Sequence, residues 1–336
     1  MAEDRDAWLA QVTEETLEPE LPICDPHHHF WDREGDRYLL DELLEDTGTR
    51  DGLTAHNIVS TVFVQCRSMY RESGPAHLKP VGETEFVQGI AAQSASGQYG
   101  PTAVAAGIVG HADLTLGAAV DEVLEAQLAA SPNRFRGIRH STVWDPDLET
   151  FGRRSTTQGL MADSKFREGF RRLAQYDLTF DAWHYHHQLP ELAELARAIP
   201  EVTIVLCHVG GALGIGPYKR EEVFEGWKQD IETVAKCPNV VVKLGGLSMT
   251  ICGFEWHTRD VPPSSNELAE ATGPYFMHCI EQFGPERCMF ESNFPVDKAS
   301  CSYGVLWNSF KRVASGFSSD EKAALFHDTA TRIYRI

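Results

Sequence analysis

The chain is poor in positive charge: 30 Lys and Arg stand against 49 Asp and Glu in 336 residues, a formal net charge of −19. A field of that sign repels polyanions, so nucleic acid and anionic membrane are excluded as bulk partners. A small anionic substrate is not, since a few local arginines can govern a pocket. Long apolar runs are missing, and none approaches membrane-spanning length. The N-terminus lacks the basic start and apolar core of a signal peptide, so a cytoplasmic address is expected. There is no C-x-x-C pair: the eight cysteines (24, 66, 207, 237, 252, 279, 288, 301) are scattered. An even count alone is poor evidence for a disulfide framework in a chain this long. Several lie in apolar runs such as Ile204-Val205-Leu206-Cys207 and read as small buried hydrophobes. No linker rich in Gly, Ser or Pro interrupts the chain, which argues for one domain.

What the chain does have is the stretch Cys24-Asp25-Pro26-His27-His28-His29-Phe30-Trp31-Asp32. About twenty polar, acidic residues without apolar period precede it and read as a loose N-terminal arm, residues 1–20. Leu21-Pro22-Ile23 then opens a brief strand at whose end the histidines sit. Side chains two apart on a strand share a face, so His27 and His29 project together with His28 opposite. Two converging imidazoles are natural ligands for a divalent metal, zinc or manganese in preference to magnesium. The plainer alternative is three histidines in a solvated turn.

Seven further apolar runs follow, at 57–66, 103–109, 135–140, 178–183, 202–207, 240–244 and 287–291, mostly separated by helical stretches. The helical stretches are 84–97, 116–130, 164–175, 189–199, 221–235 and 267–283, with two more at 303–314 and 318–334. Eight strands alternating with helices predict a closed (β/α)₈ barrel over residues 21–336. Such a barrel builds its active site on the C-terminal ends of its strands. Those ends carry His27 and His29, Gln65 and Arg67, His111, Arg139 and His140, Asp181 and His184, His208, Lys243, Glu291 and Asn293. Each has an ordinary reading alone; together they describe a polar reaction chamber. His186 and His187 read as exposed loop residues. The polar stretch 145–163 reads as a loop. A second long loop, 248–263, with Trp256, His257 and Arg259, suggests a lid or substrate wall. Arg67 and Arg71 after the second strand suggest a carboxylate-bearing substrate, because guanidinium matches that group bidentately.

Asp25 to Asp32, Gly137-Ile138-Arg139, Gln188 to Leu192, His208 to Gly211 and Glu291-Ser292-Asn293-Phe294-Pro295 occur in the order seen in the amidohydrolase superfamily. The chain resembles its amidohydrolase-related group, which includes pyrone-dicarboxylate and sugar-acid lactonases, with metal-dependent decarboxylases as more distant relatives. The resemblance implies a barrel hydrolase that uses water on a cyclic ester or a related bond. His27 and His29 match the first-strand histidine pair of the family, and His208 its sixth-strand histidine. Arg139 falls where a substrate-side arginine is common. Asn293 stands where most members carry an aspartate, and a neutral amide cannot serve as that base. Glu291 and Asp297 are the candidate replacements.

The expected activity is therefore a lactonase acting on a small polar or carboxylated substrate. His27 and His29 hold a divalent ion or the substrate carbonyl, His208 handles water, and Arg139 orients a carboxylate. Arg67, His184, Trp256 and Arg259 complete the expected substrate contacts. Two alternatives are a decarboxylase on the same barrel and a binding protein without turnover. The oligomeric state is left open, a homo-oligomer included.

Overall fold

A computed structural model describes residues 2–48, 56–147 and 156–336. In chain order the elements are α1 (Ala2–Leu9), β1 (Ile23–His28), the hairpin β2 (Trp31–Arg33) and β3 (Asp36–Tyr38), α2 (Leu40–Thr47) and β4 (Ile58–Val64). Then come α3 (Val81–Ala95), β5 (Ala103–Gly110), α4 (Asp121–Ala130), β6 (Phe135–Ile138), α5 (Ser164–Gln175) and β7 (Thr179–Ala182). The remainder is α6 (Leu189–Ala198), β8 (Ile204–Leu206), α7 (Arg220–Ala235), β9 (Val240–Leu244), α8 (Ser265–Phe283), β10 (Cys288–Phe290), α9 (Tyr303–Val313), α10 (Ser319–Ala323) and α11 (Thr329–Tyr334).

Eight parallel strands run in the order β1-β4-β5-β6-β7-β8-β9-β10. The seam between last and first strand is joined just beyond β10, where Asn293 N–H donates to His27 C=O (2.9 Å) and His29 N–H to Phe294 C=O (2.8 Å). Asp25 staples the same seam. Its Oδ1 accepts from Ser292 N–H (3.0 Å) and its Oδ2 from Tyr303 Oη–H (2.9 Å). Burial nevertheless pushes its carboxyl up to about 6, against those bonds.

The helices form because their apolar residues recur at helical spacing. In α5, Phe166, Phe170 and Leu173 face inward, and Asp163 caps the start by accepting from Lys165 and Phe166 N–H. In α8, Ser264 and Glu267 form a capping box, a device of about 1 kcal/mol. The helical stretch expected at 116–130 is broken by Gly117, which takes φ +61°, so regular helix begins only at Asp121. The stretch expected at 318–334 contains a π-turn over Ala324–Asp328.

Two layers fill the structure. The larger core lies between strands and helices. The second lies inside the barrel, where Cys24, Val62, Val64, Val109, Val205, Val241 and Met289 meet Ala330, Ile333 and Tyr334. The C-terminal helix thus plugs the barrel from below.

The N-terminal segment is not loose. Trp8 Nε1–H donates to Arg259 C=O (2.9 Å), Leu17 N–H to Asn308 Oδ1 (2.9 Å), and Lys311 Nζ to the carbonyls of Leu17 and Glu18. Composition missed this because the anchors are single polar contacts with α9 and the 248–263 loop. Of the loop expected at 145–163, residues 148–155 lie outside the described residues. The eight cysteines are free, and all but Cys66 are buried.

Candidate active site

The apolar layer gives way to a polar one two residues further along the strands: Val109 to His111, Val241 to Lys243 and Met289 to Glu291. Two strands break that parity. In β1 the register shifts between Asp25 and His28, so that His27 and His29 turn to the interior after Cys24. After β8 the backbone enters the left-handed region at His208 (φ +55°) and Val209 (φ +47°). This swings His208 inward. The turn depends on Gly246, where a Cβ would lie 2.4 Å from His208 Nδ1.

Glu291 is the hub of the site. Its Oε1 accepts from His208 Nδ1–H (2.6 Å) and from His208 N–H (3.0 Å). Its Oε2 lies 2.6 Å from His27 Nδ1 but out of line for a hydrogen bond. On the other edge of His27, Arg139 Nη1 approaches Nε2 at 3.3 Å. Arg139 also donates to the Gln65 carbonyl. The ring of His27 lies 4.6 Å from that of His208 and 4.9 Å from that of His29. His29 Nδ1–H donates to Val64 C=O (2.7 Å), which leaves Nε2 as the acceptor. Burial, reinforced by Lys243 for His27 and Arg139 for His29, holds both imidazoles well below their usual range and therefore neutral. Beneath His27, Lys243 Nζ lies 3.4 Å from Nδ1 and 2.7 Å from Asp181 Oδ2. Burial disfavours this ammonium, yet Asp181, Cys207 and Glu291 outweigh it and raise its pKa.

His27, His208 and Glu291 offer ligand atoms within 4.8 Å of one another, and Glu291 Oε2 is a buried oxygen without a hydrogen bond. Two imidazoles and a carboxylate fit zinc or a similar ion. His29, expected as the second ligand, is not in that group.

The structure does not bring every expected residue to this point. Asn293 donates through Nδ2 to Asp297 Oδ1 (2.8 Å), and Asp297 Oδ2 accepts from Ser248 N–H (3.2 Å). Asp297 is fully buried, and burial holds its carboxyl well above the usual range. It braces the loop after β9. His184 is buried on the other face of its strand, with Nδ1 donating to Tyr185 C=O and burial lowering its pKa to about 4. Trp183, one residue earlier, is the side chain that meets His208, at 4.9 Å between rings. Counting period two from Asp181 would have found it. Trp256 is buried against Phe254 (4.5 Å, stacked), and Arg259 pairs with Glu267 at the surface. The 248–263 loop therefore anchors α8 and the N-terminal segment, and these two residues are engaged in that anchoring. His186 is buried, contrary to the exposed position expected, and accepts from Leu213 N–H (3.3 Å). Arg67 stays exposed on a left-handed turn (φ +65°), while Arg71 is paired with Glu85. His111 Nδ1–H donates to Arg139 C=O (2.9 Å), and His140 accepts from Leu114 N–H (3.1 Å).

A profile of the amidohydrolase family matches residues 24–336. The chain belongs to that family and is a hydrolase. It is 33% identical over 343 residues to the uncharacterized protein y4mH of Sinorhizobium fredii, covering 94% of this chain and 99% of that one. It is 26% identical over 326 residues to an L-fucono-1,5-lactonase of Burkholderia ambifaria, covering 93% and 95% of the two chains. Among solved structures, a zinc-bound amidohydrolase of Burkholderia multivorans superposes with a TM-score of 0.70 at 24% identity, over 94% of this chain and 99% of that one. No helix among the described residues is long and apolar enough to cross a membrane.

Proposed function

We propose that the chain is a lactonase that opens a small cyclic ester bearing an anionic group. Arg139 carries this reading. The residue is only 8% exposed, and no carboxylate of the described residues makes an ion pair with it. Glu83 acts on it electrostatically from beyond ion-pair distance; a buried cation with no carboxylate in direct contact is costly, so the site is suited to an anion supplied by the substrate. The lactonase relatives supply the bond type.

In this reading His208 is the general base. Glu291 takes its Nδ1–H and fixes the tautomer, leaving Nε2 to accept the proton of the attacking water. The histidine–glutamate pair replaces the strand-eight aspartate that Asn293 cannot mimic. His29, neutral with Nδ1 held by Val64, keeps Nε2 for the substrate or its water. Trp183 closes one side over His208 and excludes solvent from the ring. A divalent ion, when bound by His27, His208 and Glu291, would supply Lewis-acid polarisation of the ester carbonyl; it would also take up the free lone pair of His208, so the base role of this histidine belongs to the ion-free site. Arg139 and Lys243 flank His27, and their charge weakens the hold on such an ion.

The test is acid release from a lactone panel that includes L-fucono-1,5-lactone and carboxylated lactones, with and without prior chelation. Hydrolysis without CO₂ supports the proposal. CO₂ release from aromatic acids with inert lactones would replace it by decarboxylation. Ligand-induced thermal stabilisation without turnover would leave a binding protein.

A further inference from the structure

We infer that the C-terminal helix is part of the reaction site: Tyr334, acting through Asp181 and Lys243, is a positioning residue for His27. The links are short and buried. Tyr334 Oη–H donates to Asp181 Oδ2 at 2.7 Å, Lys243 Nζ donates to the same oxygen at 2.7 Å, and Nζ lies 3.4 Å from His27 Nδ1. All four side chains are 0% exposed. The ammonium also sits over the Tyr334 ring, 5.2 Å from its centre.

Asp181 makes this more than packing. Its Oδ1 has no hydrogen bond, so its strong contacts converge on Oδ2, one from the lysine and one from the tyrosine. The remaining neighbour, Cys207 Sγ at 4.0 Å, is a weak donor. Tyr334 therefore settles where that oxygen sits. Lys243 has no second carboxylate in ion-pair contact among the described residues, so Asp181 settles where the ammonium sits. A fixed charge 3.4 Å from an imidazole nitrogen in a fully buried interior acts, with Glu291 Oε2 at 2.6 Å from the same nitrogen, on the ring's orientation and electronic state. The chain end is itself pinned. Arg335 pairs with Asp177 (3.3 Å), two residues ahead of the strand that carries Asp181. A helix needed only as a plug would require apolar side chains at this depth, as Ala330 and Ile333 provide.

The experiment compares Tyr334→Phe with Ile333→Val in the full-length protein. Tyr334→Phe deletes one oxygen and keeps the ring; Ile333→Val loosens the plug and leaves the polar chain intact. The first readout is the ¹⁵N resonances of the His27 ring in histidine-labelled protein, which does not depend on the lactonase reading. Tyr334→Phe is expected to shift them, and Asp181→Asn to shift them in the same sense. Ile333→Val should leave them in place while lowering Tm. The second readout is acid release from L-fucono-1,5-lactone. Tyr334→Phe is expected to lower kcat about tenfold, as loss of an outer partner commonly does, with KM held within about twofold. Unmoved His27 resonances in Tyr334→Phe, or an equal shift in Ile333→Val, would overturn the inference. A wild-type protein inert to lactones would sink the proposed function, and the resonances would still decide this one.

Discussion

The two ends of the barrel interior are built from the same strands and differ in almost every physical respect. Below, Val62, Val64, Val109, Val205, Val241 and Met289 pack against Ile333 and Ala330, and the layer is held mainly by apolar burial, with the Tyr334 hydroxyl reaching up to Asp181. Above, His27, Lys243 and Glu291 are equally buried but carry protons and charge, with Lys243 partnered by Asp181 and Glu291 by His208. Apolar contact is tolerant of exchange, whereas a buried polar group is costly the moment its partner leaves. Stability therefore concentrates at one end and chemistry at the other. Substitutions can separate them.

The largest effect should follow from His208→Asn or Glu291→Gln. Either removes the proton acceptor or the group that orients it, and turnover of the responsive lactone should fall by about two to four orders of magnitude. Circular dichroism and Tm should stay close to wild type for His208→Asn. Comparable turnover in both variants would remove the upper layer's claim to chemistry.

Arg139→Met comes next. It deletes the unpaired guanidinium and keeps the volume. Charge-assisted hydrogen bonds are worth about 1.5–3 kcal/mol, so KM for an anionic lactone should rise roughly 10- to 100-fold. A neutral lactone should lose much less. Equal losses on both would mean that Arg139 only positions His27 and Gln65.

At the lower end, Val205→Ala should cost about 2 kcal/mol of stability through lost burial and a small cavity. Tm should drop by a few degrees while kcat stays within about twofold. A collapse of turnover at low temperature would show that the apolar layer also sets the geometry above it.

The same contrast explains what could be read from residues alone. The lower layer and the helices follow apolar periodicity, so eight strands and the barrel were legible, as were the polar residues at the strand ends. The faces of those residues were not. His208 reaches the site through left-handed backbone that depends on a distant glycine, Gly246, and His27 through a register shift. Trp183 and His184 are neighbours in sequence on opposite faces, and the histidine drew attention by its chemistry. Trp256, Arg259 and Asp297 looked functional because a loop residue's partners come from other segments: Phe254, Glu267, Asn293 and Ser248. The hairpin β2–β3 and α2, between the first and second barrel strands, are too short to announce themselves.

Glu83 gives the mildest test, because it is a buried carboxylate above the apolar layer that belongs to neither group. It lies in α3 at 1% exposure and accepts from Cys66 N–H (3.0 Å) and Ser68 N–H (2.8 Å), holding the turn that presents Arg67. Burial pushes its pKa from 4.5 up to about 7. With the folded-state value raised, the native protein binds the proton more tightly than the unfolded chain does. Its contribution to stability is full below about 4.5 and is lost as pH rises to about 7. Glu83→Gln keeps an oxygen for both amides and has nothing to titrate. Relative to wild type it should gain stability as pH rises through that window, by roughly 1–3 kcal/mol, read as a flatter profile of Tm against pH. Turnover should stay within about twofold, since the glutamate touches none of the reacting groups. A large loss of kcat with an unchanged Tm profile would move Glu83 into the reaction site and blur the division between the two ends.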